Sequence, residues 1–379
     1  MLYYFDNSAT TQVDPGVLET YMQVSQNYFA NPSSAHQLGS EAHQLLEAAR
    51  KQIANILTYK EEEIYFTSSG TEANNWVLQA IVPAMSKRHP KRNKILVSAI
   101  EHPSILRQLE RVEEMGLEVR RLGVDNEGVI DLDLLKEELD DQCLLLSTMA
   151  VNNEVGSQQP LAAIQEILQT DPQVTWHVDG VQAVTCQLQA IKNPRIDLLT
   201  LSGHKFHAGR GTGILAIRQK VASEPLLMGG GQERNQRSGT ENLASIVATS
   251  KALRIASDHQ VVVRERLSQF RSAIIQSLRK NNWQVFAENV ASPHIICTAF
   301  RGIPGEVLLH AMEEQGIYVS TTSACSSRSH QEHATLRQMH VDQELANSAI
   351  RISLSSQTSQ EEVDYLINKI PEISLAFRR

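Results

Sequence analysis

The sequence predicts an α/β protein: a large domain built on a mostly parallel sheet flanked by helices, joined to a smaller α+β domain. Three observations carry that expectation. The chain has 379 residues, enough for about two domains. From about residue 40 to 255, short apolar runs alternate with longer amphipathic stretches, the signature of strands that pair in parallel through helical crossovers. Beyond about residue 241 the pattern changes to long helical stretches followed by widely spaced strand-like runs.

In chain order, the runs EIYFT (63–67), KILVS (94–98), LLLST (144–148), VTWHV (174–178) and DLLTL (197–201) read as strands, being short and rich in β-branched or apolar residues. Residues 103–115 and 161–169 carry apolar side chains at helical spacing. Two further helical stretches, 241–257 and 261–279, lead into strand-like HIICTAF (294–300), YVSTT (318–322) and AIRISL (349–354). The division expected from this pattern is a large domain over residues 15–255 and a small one formed by residues 1–14 with 256–379.

Composition narrows the class. Hydrophobic residues make up 41% and charged ones 21%, which fits a folded globular chain and not a disordered one. A net charge of −8 argues against broad nucleic-acid binding. The N-terminus MLYYFDNSATT has no basic segment leading into an apolar stretch, and nowhere do about eighteen apolar residues run on, so a cytoplasmic protein without membrane contact is expected. The four cysteines contain no C-x-x-C pair, which suits a reducing compartment. Cys143, Cys186 and Cys297 lie in apolar surroundings and read as core thiols. Cys325 does not.

In open α/β sheets, ligands collect beyond the carboxyl ends of the strands. After EIYFT comes SSGTEANN, whose Ser69, Gly70 and Thr71 would open a helix and aim backbone N–H groups at an anion. After KILVS comes AIEHPSI with His102; after LLLSTMA comes VNNEVG with Asn152 and Asn153; after VTWHV comes DGVQAV with Asp179 and Gln182. After DLLTL comes SGHKFHAGRGTG, placing Lys205 among Ser202, His204 and a glycine-studded turn. Singly these are ordinary caps and turns. Together they offer a phosphate cradle, an imidazole, an amide, a carboxylate and an amine, the set that pyridoxal 5'-phosphate requires. No G-x-x-x-x-G-K-[ST] is present, and GRGTG (209–213) lacks dinucleotide-loop spacing.

The strings FDNSATT, NPSSAH, SSGTEANN, EHPSI, VNNEVG, HVDGVQAV, SGHKFH, GGGQERNQRSGTEN, SACSS and IRISL, spread from residue 5 to 354, resemble the cysteine desulfurases of the iron–sulfur-cluster type, pyridoxal-phosphate enzymes of fold type I and the class V aminotransferase group. The resemblance implies that Lys205 binds the cofactor aldehyde, Asp179 pairs the ring nitrogen, Gln182 and Asn153 address the ring hydroxyl, and His102 stacks on the ring and moves protons. It assigns the phosphate to Gly70, Thr71, Ser202 and His204, with Thr240 reaching over from a second subunit of a homodimer. It assigns the substrate carboxylate to Asn31 and Arg351.

STTSACSSRSH (320–330) is rich in small polar residues, the setting of a reactive thiol. With the cofactor site, Cys325 reads as the thiolate that attacks the sulfur of L-cysteine after Lys205 has removed the Cα proton, leaving alanine and a Cys325 persulfide for a sulfur-acceptor protein. Cys325, His330 and His333 also form C-x4-H-x2-H, a sparse set for a zinc site. The competing enzyme readings are an aminotransferase and a selenocysteine or cysteine-sulfinate lyase. One departure from the family pattern is FHAGRGTG, with Ala208 and Arg210 where Gly-Pro-Lys-Gly is common.

Overall fold

A computed structural model describes residues 2–321 and 334–377. The strands are β1 (Tyr3–Tyr4), β2 (Ile64–Thr67), β3 (Lys94–Ser98), β4 (Glu118–Leu122), β5 (Cys143–Met149), β6 (Thr175–Asp179), β7 (Leu198–Ser202), β8 (Gly213–Ile217), β9 (Gln284–Phe286), β10 (Ile295–Ala299), β11 (Ile317–Tyr318), β12 (Ser320–Thr321) and β13 (Ala349–Ser353). Seven of them form one sheet in the order β2-β8-β7-β6-β5-β3-β4, parallel except for β8, which runs antiparallel to both neighbours. The α/β architecture is therefore as the sequence predicts.

Both faces of this sheet are covered, and alternate residues of each strand serve opposite layers. Leu96, Leu146, Leu199 and Ile214 pack with Leu46, Ile53 and Leu57 of the helix Gln37–Leu57. Ile95, Leu145, Leu198 and Leu215 pack on the other side with Trp76, Leu78 and Ile81. Every residue of β5 is buried, which is why it reads as an unbroken apolar run. The edge strand β4, EVRRL, exposes Arg120 and Arg121, and that charge hid it from apolar patterning while protecting the edge from further pairing.

A second core joins β10 and β13 to the helix Gln360–Ala376 through Ile296, Ile350, Ile352, Val363, Leu366 and Ile370. The helix Leu243–Lys280 links the two cores: Ile246 and Leu253 belong to the first, Leu267, Phe270 and Ile274 to the second. Two helices were expected here, but Asp258, His259 and Gln260 include no Gly or Pro, and the helix runs through them. The reverse holds at 103–115, where one expected helix is two, Pro103–Leu106 and Leu109–Glu114. The Gln108 side chain donates to the Ser104 carbonyl, so the Gln108 N–H bonds Ile105 O (3.0 Å) and the turn tightens.

The N-terminal segment is strapped across both parts. β1 pairs in parallel with β11, Asn7 Nδ2 donates to Ser353 O (2.9 Å), and Thr11 Oγ1 donates to His204 O (3.0 Å) at the tip of β7. Cys143, Cys186 and Cys297 are buried free thiols, and burial pushes the first two up to about 12. No helix among the described residues is long and apolar enough to cross a membrane.

Candidate active site

The strand tips of the large sheet meet the N-terminal turn and β13 around a cavity of about 260 Å³. Its wall brings together Gly70, Thr71, His102, Asn153, Asp179, Gln182, Ser202, His204, Lys205 and Arg351, residues drawn from strand ends, helix starts and turns far apart in the sequence. Asn31 and Thr240 lie outside it: both are exposed, and Asn31 Oδ1 accepts from the Ser33 N–H (2.9 Å). Cys325 falls outside the described residues, as do His330 and His333.

The Lys205 amine stands in a one-turn 3-10 helix at the end of β7 and donates to Ser8 O (2.6 Å) and Ala9 O (2.8 Å). Opposite it, Asp179 ends β6. Its Oδ1 accepts from the Val181 N–H (3.0 Å) and its Oδ2 from Asn74 Nδ2 (2.8 Å), which fix the plane of the carboxylate. Asn74 is one helical turn from Gly70 on the same helix face, and its other amide hydrogen goes to Ser104 Oγ (2.9 Å).

Ser104 carries the link on to His102. The Ser104 backbone N–H points at His102 Nδ1 (3.1 Å), with Ser104 Oγ 2.8 Å from the same nitrogen. A backbone donor there requires a lone pair on Nδ1, so the neutral ring holds its proton on Nε2. Burial lowers the His102 pKa, the Asp179 charge opposes that, and Lys205 and Arg107 add to it. His204 is pushed down to about 4, first by burial and then by Lys205 and Arg210. Both imidazoles are thus neutral at pH near 7. Behind the wall, Glu101 is buried with its pKa raised well above the usual range by burial and by Asp179, while Oε1 accepts from the Met149 N–H.

The wall suits pyridoxal phosphate. Ser8 Oγ and Asn74 Oδ1 are buried polar atoms with no partner among the described residues, on a surface that must satisfy them with a ligand or water. A Cβ on Gly70 would come 2.9 Å from Val181 Cγ2, so only glycine keeps this cradle open. First-turn N–H groups, the Thr71 and Ser202 hydroxyls and the His204 ring match a phosphate's acceptors. Sequence reasoning missed Asp6, Ser8, Asn74, Glu101 and Ser104 as site residues. For Asn74 the helical register from Gly70 was a usable signal.

An aminotransferase class-V family model matches residues 3–366. A NifS/IcsS protein homolog from Lactobacillus delbrueckii subsp. bulgaricus is 42% identical over 100% of this chain and 98% of its own. A cysteine desulfurase IscS from Methanosarcina thermophila is 38% identical over 98% of this chain and 91% of its own. The solved structure of a NifS-like protein superposes with a TM-score of 0.92 at 36% identity, covering 100% of both chains. With the family model spanning nearly every described residue, the chain belongs to the aminotransferase class-V family, in the branch that contains the cysteine desulfurases.

Proposed function

We propose that this protein is a pyridoxal-phosphate-dependent cysteine desulfurase that converts L-cysteine to L-alanine and leaves a persulfide on Cys325 for a sulfur-acceptor protein. The supporting observation is the convergence on one cavity of the Lys205 amine, the oriented Asp179 carboxylate, the neutral His102 ring, the phosphate cradle and the Arg351 guanidinium. Lys205 would hold the cofactor aldehyde, Asp179 its ring nitrogen, Asn153 and Gln182 its ring hydroxyl, and Gly70, Thr71, Ser202 and His204 its phosphate. When bound, pyridoxal phosphate supplies an electron sink that stabilises negative charge at the substrate Cα.

The chain's own residues do the rest. Arg351 binds the α-carboxylate of cysteine, while Asn31, the other residue expected there, stands outside the cavity in a single chain. As a free neutral amine, Lys205 would take the Cα proton and deliver a proton on the way to alanine. His102 lines the cavity with its Nδ1 engaged by Ser104, which leaves Nε2–H as the proton it can offer. The Cys325 thiolate forms a bond to the substrate sulfur as the C–S bond breaks, the electron pair of that bond passing to carbon. Cleavage therefore needs no external oxidant.

A homodimer is part of the proposal. Leu18, Tyr21, Met22, Phe29 and Met228 are large apolar side chains exposed on one chain, and Thr240, also exposed, would complete the phosphate site of a second copy. The large domain is taken as residues 15–255; the cores about the large sheet and about β10 and β13 support that division, although a further cluster with Ile100, Met149, Cys297 and Leu345 packs across it. A cytoplasmic setting fits the reduced thiols of Cys143, Cys186 and Cys297. The test is to load the wild type, Lys205→Ala and Cys325→Ser with pyridoxal phosphate and supply L-cysteine. Lys205→Ala should lose covalent cofactor attachment and alanine release, and Cys325→Ser should keep the cofactor and lose persulfide. A Cys325→Ser protein that still transfers sulfur would favour a lyase reading.

A further inference from the structure

Arg351 lines the cavity, and its resting contacts are more than the carboxylate assignment needs. It is buried, and its three nitrogens are treated differently: NH1 donates to Asn153 O (2.7 Å), NH2 donates to Asp6 Oδ1 (2.8 Å), and Nε has no partner among the described residues. The carboxylate of Asp6 therefore already occupies the group that a substrate carboxylate needs. Asp6 sits in the same N-terminal turn whose Ser8 and Ala9 carbonyls hold the Lys205 amine.

We propose that Asp6 is an exchangeable counter-ion for Arg351: it holds the guanidinium at rest, the α-carboxylate of an amino acid displaces it, and its return weakens retention of the product. Only the identity of the amino acid rests on the function proposed above. The contact is built for exchange. It uses one oxygen of Asp6 and one terminal nitrogen of Arg351, and the Asp6 side chain is 22% exposed against 4% for Arg351, so the carboxylate can turn to water when displaced.

The protein also shows what a permanent pair looks like. Arg50 and Glu233 meet through two parallel bonds, NH1 to Oε2 (2.8 Å) and NH2 to Oε1 (2.9 Å), and both side chains are buried. Tyr4, Glu154, His294 and Cys297 also feel the Arg351 charge. Burial raises the Glu154 pKa and lowers that of His294, and Asp6 is the carboxylate bonded directly to the guanidinium. Two carboxylates on one guanidinium repel, and Asp6 sets the affinity through that repulsion.

The experiment is calorimetric titration of the pyridoxal-phosphate-loaded protein with L-alanine, wild type against Asp6→Asn. Asparagine keeps an oxygen acceptor for Arg351 and loses the charge. The L-alanine Kd should fall about ten-fold in Asp6→Asn, while binding of L-alaninol, which lacks the carboxylate, stays within about two-fold. An unchanged or raised Kd for L-alanine, or an equal gain for L-alaninol, overturns the proposal. Should Asp6→Asn not fold, a crystal structure of the wild type with L-alanine decides: exchange requires the Asp6–Arg351 contact to open beyond about 4 Å, and a retained pair contradicts it. Failure of the protein to release alanine from L-cysteine would remove the desulfurase reading and leave this test intact, since it scores carboxylate binding alone.

Discussion

Arg50 and Arg351 are both almost wholly buried, yet one is saturated and the other is not. Arg50 bonds Glu47 through Nε (2.9 Å), Ile64 O through NH1 (2.7 Å) and Glu233 through both terminal nitrogens. Glu233 in turn accepts from the Phe66 N–H (2.9 Å), and it holds a left-handed backbone at φ 46° within a run that continues through Arg234 and Asn235. Three consecutive non-glycine residues rarely adopt that conformation without strong anchoring. Arg351 has an unpartnered Nε, a one-point carboxylate and a face on the cavity. The difference teaches that burial alone does not separate structural from functional charge. Completeness of the hydrogen-bonding does.

The largest effect expected from this contrast is at Glu233. Removing one partner of a saturated buried pair leaves the other charge uncompensated, so Glu233→Ala should lower the unfolding free energy by about 3–5 kcal/mol in urea denaturation. A loss below about 1 kcal/mol would erase the distinction from Arg351.

Next comes acid. Burial holds His177 at about 4 and, with Arg351, holds His294 at about 3. An unfolded histidine takes up its proton near pH 6.5, so below that pH the unfolded state binds more protons than the folded one. Stability is complete above about pH 6.5 and declines as the pH falls toward the folded values, by roughly 3 kcal/mol for His177 and roughly 5 kcal/mol for His294 over the full span. Thermal unfolding followed by circular dichroism should show Tm dropping between about pH 7 and pH 5, and less steeply in Arg351→Gln, where His294 is released from the guanidinium charge. A flat profile contradicts the neutral assignment.

Asn74 is intermediate. Asn74→Ala cuts the link between Ser104 and Asp179, and loss of a buried bond to a charged acceptor should lower kcat roughly ten-fold or more while the fold is retained. Full kcat in that variant would show that Asp179 needs no such orientation. The smallest effect is predicted for the stability of Asp6→Asn, less than about 1 kcal/mol, because its contact is one-point and partly exposed. A loss approaching that at Glu233 would make Asp6 a permanent partner.

Much of this was legible in the sequence where chemistry and local pattern coincide. KILVS has the bounds of β3, and the polar residues just past the strands meet at the cavity because parallel strands carry their carboxyl ends to one edge. β8, GILAI, was missed because its apolar run follows directly on the glycine turn 209–213 and reads as that loop's continuation. The supporting shell was harder. Asp6 is 345 positions from Arg351, and no local periodicity ties a short N-terminal turn to a distant strand. Asn74, Ser104 and Glu101 are buried polar residues whose partners exist only after folding, so their types alone look like helix surface or caps.

The most direct measurement of the desulfurase account is the mass of the intact, pyridoxal-phosphate-loaded protein after one turnover of L-cysteine, with alanine counted in the same sample. The account predicts one additional sulfur atom per chain, located by proteolysis on the peptide that contains Cys325, and one alanine for each. Alanine without that sulfur adduct, or an adduct carried instead by Cys143, Cys186 or Cys297, would contradict it.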